Sequence, residues 1–140
     1  MSRKKALTSG PFFVPLSVDG TRYGAVQFLL IGFKNIASHT STVRLTVYNC
    51  SDTVLYPATP PEEEIYCKKV TIPAGDCAVI RLDAGPDTFG GNNMLRVAIK
   101  GDTDKDAEAI VIALSGNTAD GRQALSMVFK HEEFIELNED

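Results

Sequence analysis

The stretch Thr42-Val43-Arg44-Leu45-Thr46-Val47-Tyr48 decides the fold class, because apolar and polar residues alternate along it. Successive side chains of a β-strand point to opposite faces, so Val43, Leu45 and Val47 share one face. The polar alternates and Tyr48 share the other. This pattern predicts a strand that buries one face and exposes the other.

Further short runs rich in β-branched and aromatic residues flank this strand. They lie at 12–18, 23–36, 65–72, 77–82, 94–100, 109–114 and 125–129. Turn-forming residues such as Pro73-Ala74-Gly75-Asp76 separate them. The tail at 130–137 fits either a last strand or a short helical turn, and no other stretch shows a helical face with caps. About eight strands predict an all-β chain, an antiparallel β-sandwich of jelly-roll type.

Two segments interrupt this spacing of strands. Residues 51–64 contain Pro57, Pro60 and Pro61, followed by three glutamates. Because proline cannot donate a hydrogen bond to a sheet, this segment is predicted to be an exposed loop. Residues 1–11 are polar and basic and end at a proline, which predicts a flexible N-terminal arm before a single sandwich domain over 12–140.

Charge and hydropathy exclude two classes of partner. Fourteen Lys and Arg against eighteen Asp and Glu give a net charge of −4, which argues against a general nucleic-acid binder. No apolar run approaches the roughly 20 residues of a membrane span. The charged N-terminal residues lack the apolar core of a signal peptide, so we expect synthesis in the cytoplasm without a secretion signal.

The sequence offers little for catalysis. Its two histidines, His39 and His131, lie away from any nucleophile motif and are expected to be exposed loop residues. Two histidines are also few for the metal centre of a cupin-type enzyme. We therefore predict no enzyme and no cofactor.

One acidic turn is a weak metal candidate. It carries four carboxylates, Asp102, Asp104, Asp106 and Glu108. An EF-hand loop needs glycine at its sixth position and glutamate at its twelfth, and both positions hold alanine here. A solvated charged turn is the expectation, with weak calcium binding as the alternative.

The three cysteines are Cys50, Cys67 and Cys77. Their spacing contains no C-x-x-C pair, so a zinc site is not expected. Reduced cysteines in the core are the first interpretation. A disulfide, within the chain or to a neighbouring subunit, is the alternative.

The apolar segment Phe12–Val18 is the strongest candidate for contact between subunits. Pro11 and Pro15 lack an N–H, which argues against a central position in a sheet. The segment is therefore expected along the edge of its own sheet or, by strand addition, along that of another copy. In the second case the docking side chains would be Phe12, Phe13, Val14 and Leu16.

These features resemble the endospore-appendage and related spore-surface fibre subunits of Gram-positive bacteria. The likeness rests on the arm at 1–10, the segment Phe12–Val18 and the strand–turn–strand stretch at 70–80. It implies jelly-roll subunits that stack into fibres by sheet augmentation and an N-terminal connector, on a spore or cell surface. Several members carry cysteines in the connector; this arm has none, so any covalent link would use Cys50, Cys67 or Cys77.

The sequence leaves two hypotheses for the function. The first is a non-catalytic, homo-oligomeric structural subunit that self-assembles into a fibre or surface layer by strand addition of its N-terminal segment. The alternative is a carbohydrate-type ligand-binding module, on a sheet face or at the loop tips. Its aromatic platform would draw on Tyr23, Tyr48, Tyr56 and Tyr66, of which Tyr48 is predicted to face outward.

Overall fold

The computed structural model describes residues 4–50, 55–103 and 108–137. Nine strands form there: β1 Lys4–Phe13, β2 Val26–Asn35, β3 Ser41–Cys50, β4 Glu62–Ile72, β5 Cys77–Asp83, β6 Met94–Asp102, β7 Ile110–Thr118, β8 Gln123–Phe129 and β9 Ile135–Leu137. Two 3-10 turns lie at Arg22–Gly24 and His131–Glu133, so the tail holds both a turn and a strand. No α-helix occurs in these ranges, which confirms the all-β prediction.

The strands form two antiparallel sheets packed as a sandwich. The five-stranded sheet has the order β4-β3-β6-β1-β9, and the four-stranded sheet has the order β5-β2-β7-β8. Only the β3–β4 and β7–β8 connections stay within one sheet. The sandwich has nine strands where about eight were predicted; the ninth is the short β9, which adds to β1 at the rim of the larger sheet.

The core lies between the sheets and follows the predicted alternation. Val43, Leu45 and Val47 of β3 are at most 1% exposed. Leu29 and Ile31 of β2 reach the same core from the facing sheet and are fully buried. Removing this apolar surface from water is the main force that holds the two sheets together.

The N-terminal segment differs from the prediction. From Lys4 onward it is not a flexible arm but β1, which pairs with β6 on one side and β9 on the other; residues 1–3 lie outside the described ranges. The reason is that Leu7 and Phe12 face inward and are buried in the chain's own core. The proline is tolerated because the pairing register breaks between Thr8 and Pro11. Gly10 lies in that break with φ of 72°, as in a glycine-containing β-bulge.

The loop predicted at 51–64 is also shorter in the structure, because part of this segment belongs to a strand. Residues 51–54 lie outside the described ranges, and β4 already begins at Glu62. Glu62 pairs with Cys50 of β3, and its carboxylate also forms an ion pair with the guanidinium of Arg96, with Nη2 and Oε1 2.8 Å apart. The charged run therefore forms the start of an edge strand.

Candidate functional site

Cross-strand register arranges the outer face of the five-stranded sheet in rows. Residues directly opposite each other on paired strands share a face, so one row crosses β4, β3 and β6. The first row is cationic and consists of Lys69, Arg44 and Lys100. The second row has short side chains and consists of Cys67, Thr46 and Ala98. The third row has long side chains again and consists of Glu64, Tyr48 and Arg96.

This arrangement leaves a concave channel between the first and third rows, which we call the trough. Its volume is about 360 Å³. Thr46 and Ala98 line it between the two rows of longer side chains, and Ala6 of β1 and Leu137 of β9 line it as well. The trough exists because small residues alternate with large ones along β3 and β6.

Arg96 is a fixed part of the wall. Its Nε and Nη2 donate to the two carboxylate oxygens of Glu62 at 2.9 and 2.8 Å, a bidentate pair. Its guanidinium also stacks 4.4 Å above the centre of the Tyr48 ring. The hydrogen bonds to Glu62 raise the pKa of Arg96 above its usual value. One side of the trough is thus formed by the Tyr48 ring and the Arg96 guanidinium, and the contacts of Arg96 with Glu62 and Tyr48 fix their positions.

Arg44 and Lys69 have fewer side-chain interactions than Arg96. Nη1 of Arg44 lies 3.6 Å from Sγ of Cys67, and this thiol is its sole hydrogen-bonding partner within the described ranges. Neither Arg44 nor Lys69 forms an ion pair with any residue that the structure describes. Both side chains are exposed, so their charges are available to a ligand in or beside the trough.

The centre of the outer face of the four-stranded sheet is apolar, although the exposed Lys34 and Arg81 lie on the same face. Leu30, Gly32, Val79, Ala113 and Val128 line a shallow cavity of about 320 Å³, which we call the apolar depression. It forms where Gly32 and Ala113 lie directly opposite each other on β2 and β7, because neither has a long side chain. Val79 is 66% exposed at its border.

The glycine-rich loop at 85–93 is anchored to the sandwich by side-chain contacts. Phe89 is buried, and the amide nitrogen of Asn49 donates to the Thr88 carbonyl at 3.1 Å and to Oδ1 of Asn93 at 3.0 Å. A cavity of about 340 Å³ adjoins this network. Oδ1 of Asn49 is buried there without a hydrogen-bond partner among the described residues.

The four predicted subunit-contact residues separate into two pairs. Phe12 and Val14 are 5% and 1% exposed in the chain's own core, so they are not available to a neighbour. Phe13 and Leu16 are 63% and 67% exposed. Strand alternation accounts for the difference between Phe12 and Phe13. Contact of Phe13 and Leu16 with another copy stays a prediction.

The acidic turn is described only at its two ends. Asp104 and Asp106 lie outside the described ranges. Asp102 accepts a hydrogen bond from the backbone N–H of Thr42 at 2.8 Å, and Glu108 is exposed. Within the described ranges, no group of three His, Cys, Asp or Glu side chains could hold a metal ion.

The cysteines are free thiols, but they are not core residues. Cys50 and Cys67 are half-buried and Cys77 is exposed. The expectation of core cysteines is therefore wrong, because Cys67 and Cys77 fall on outward-facing positions of β4 and β5. Pairing with a neighbouring subunit stays a prediction.

The tyrosines do not gather into one platform. Tyr48 faces outward, as predicted, and lines the trough. Tyr66 lies opposite Val47 and packs against the core. Tyr23 and Tyr56 are exposed in a 3-10 turn and in a turn outside the strands.

The histidines have different environments. His39 is exposed, as predicted. His131 is buried instead, because its Nδ1 accepts a hydrogen bond from the backbone N–H of Ile112 at 3.2 Å. It contributes to the packing of the 3-10 turn against β7.

In the part of the chain that the structure describes, no helix has the length and apolar character needed to cross a membrane.

Comparison with known proteins identifies neither a family nor a function. No protein-family model matches the chain, and no curated protein matches its sequence. Anabaena sensory rhodopsin transducer is similar over 82% of this chain and 97% of its own, with 15% identity and a TM-score of 0.46. Thermotoga maritima 1070 is similar over 94% of this chain and 98% of its own, with 12% identity and a TM-score of 0.48.

A Bifidobacterium adolescentis GH3 beta-glucosidase is similar over 98% of this chain but only 17% of its own, with 13% identity and a TM-score of 0.41. None of these likenesses indicates what the present chain binds or does.

Proposed function

We propose that this chain is a non-catalytic structural subunit that self-assembles into a fibre or surface layer. The observation that supports the proposal is the apolar depression. An antiparallel sheet that faces water normally carries polar side chains on that face. Here Leu30, Val79 and Val128 border the floor formed by Gly32 and Ala113. Adjoining apolar side chains on a protein surface, unlike single scattered ones, are typical of interaction sites.

The occupant that we propose for the depression is a second copy of the same chain. Phe13 and Leu16 are exposed apolar side chains of suitable size. Phe13 ends β1 on the outer face of the five-stranded sheet, whereas the depression lies on the outer face of the four-stranded sheet. Each sandwich thus carries the exposed Phe13 side chain on one outer face and the apolar depression on the other.

This geometry favours an open assembly. A contact between two different surfaces of the same molecule is head-to-tail, and it continues into a filament unless the rotation between copies closes a ring. Full burial of one phenylalanine contributes about 1.5–3 kcal/mol. In this form of the proposal, the N-terminal segment contributes side chains to the neighbour while its backbone stays paired in its own sheet.

The experiment compares the wild-type chain with variants of the two surfaces. Ala113→Glu places a charge on the floor of the depression, and Phe13→Ser removes the projection. Thr71→Glu, at an exposed site of β4, is the matched control for charge. We expect light scattering and negative-stain microscopy to show polymers for the wild type and Thr71→Glu, and monomers for the other two variants.

Particles of equal size in all four samples would contradict the proposal. Repeating the measurement with reductant tests the cysteines. Polymers that survive reduction are held by the apolar contact, whereas polymers that dissolve are held by disulfides and the proposed interface is wrong.

A further inference from the structure

We infer that the trough binds an acidic oligosaccharide, an extended sugar chain that carries carboxylate groups. This inference does not rest on the proposed self-assembly, because the residues that line the trough include neither Phe13 nor any residue of the apolar depression. It rests on three features of the described residues: the charge of one row, the shape of the trough and the kind of polar groups that line it.

The first feature is the positive charge of the cationic row. Arg44 lies directly between Lys69 and Lys100 in the cationic row. Like charges directly opposite each other on paired strands destabilise a sheet. The charges of Arg44 and Lys69 are not neutralised by an ion pair with any residue that the structure describes. An anionic group above Arg44 would relieve the repulsion and occupy guanidinium donors that now contact only a thiol.

The shape of the trough determines how a ligand would lie. Its floor runs across β3 and β6 through Thr46 and Ala98, at right angles to the strands. Neighbouring strands are about 4.8 Å apart, so a ligand over β4, β3 and β6 extends over roughly 10 Å. The volume of about 360 Å³ lies within the range of small-ligand sites. An extended chain fits this shape better than a single compact anion.

The polar groups favour a sugar over a peptide. Backbone donors and acceptors on the face of a sheet are already used in the ladder, and extended peptides are recognised by backbone pairing at sheet edges. The trough offers side chains instead. The exposed carboxylate of Glu64 can accept hydrogen bonds from the hydroxyl groups of a sugar, and Thr46, whose hydroxyl donates to Sγ of Cys67, forms the floor. Tyr48, held under Arg96, supplies an aromatic wall.

The test is calorimetric titration of the full chain with three tetramers: tetragalacturonate, neutral maltotetraose and tetraglutamate. We expect tetragalacturonate to bind at least about tenfold more tightly than either of the other two. Arg44→Gln should weaken its binding by about tenfold or more, since it removes a charge-assisted contact. Arg81→Gln is the matched control, because it removes an exposed arginine from the outer face of the four-stranded sheet.

Three results would overturn the inference: no measurable binding of tetragalacturonate, equal binding of tetraglutamate, or equal weakening by Arg44→Gln and Arg81→Gln. Lys69→Gln is a second variant in the same row, for the case that Arg44→Gln does not fold. The titration is repeated in the Ala113→Glu background, so that loss of self-assembly and loss of sugar binding are measured separately.

Discussion

Phe12 and Phe13 are neighbours in sequence with opposite environments, which allows the position of β1 to be tested in solution. Phe12 is 5% exposed, and its ring centre lies 5.2 Å from that of Phe129. Truncation of a buried phenylalanine to alanine costs about 3–5 kcal/mol, from lost burial and the cavity left behind. Phe13 is 63% exposed, so Phe13→Ala should change the free energy of unfolding by no more than about 0.5 kcal/mol.

The assay is thermal and urea unfolding of both variants, followed by circular dichroism at low protein concentration. For a chain of this length, Phe12→Ala should lower the Tm by about 10–15 °C and leave the Tm independent of concentration. Phe13→Ala should melt like the wild type. Equal melting of both variants, or a Tm loss that appears only at concentrations where copies associate, would refute the pairing of β1 within its own sheet.

Three further predictions follow from polar contacts and glycine geometry. A double-mutant cycle with Glu62→Gln and Arg96→Gln should give a coupling of about 1 kcal/mol in urea unfolding, because the pair is bidentate but part-exposed; a coupling of zero would contradict this. The hydrogen bond from Arg122 lowers the pKa of Asp19 below its usual value of 3.8. The Asp19 carboxylate therefore stabilises the fold at pH values above 3.8, and this stabilisation is lost as the pH falls below 3.8 and the carboxylate is protonated. The Tm difference between wild type and Asp19→Asn should therefore be largest near neutral pH and shrink in acid; a difference that grows in acid would contradict the argument. Gly101→Ala should lower the free energy of unfolding more than Gly121→Ala in the same assay. Both glycines have positive φ, but only at Gly101 would a Cβ lie 2.7 Å from a backbone oxygen, that of Thr42. Equal losses of stability would refute the argument from this steric clash.

Local periodicity predicted much of the fold. The alternation in residues 42–48 identified the buried residues of β3 correctly, because the period of a strand is set by its own backbone. β1 was harder to predict, since Pro11 argued against a position between two strands. The bulge at Gly10 removes that objection by breaking the register where the proline lies.

The trough could not be predicted in the same way. The outward-facing positions of Arg44, Thr46 and Tyr48 could be predicted from the sequence of one strand. Their partners on β6 lie about fifty residues further along the chain, and the row appears only when the register between strands is known. Nothing in a single strand indicates that Lys100 stands opposite Arg44, or that Ala98 leaves space beside Thr46.

The apolar depression escaped prediction for a related reason. Gly32 lies in a regular stretch of β2 opposite Ala113. Its role as part of a cavity floor depends on having a second small residue as its neighbour. That pairing, too, is a property of the register and not of either strand alone.

The position of β1 also bears on how the protein is made. The first strand leaves the ribosome long before β6 and β9, so its backbone groups find their partners only after those later strands have been synthesised. Non-local pairing of this kind slows folding and prolongs the lifetime of an unpaired apolar strand. Two nascent copies that exchange their first strands in this interval would form a domain-swapped pair with the same contacts as the single chain. The order of synthesis thus provides a route by which copies can become linked before either has folded alone.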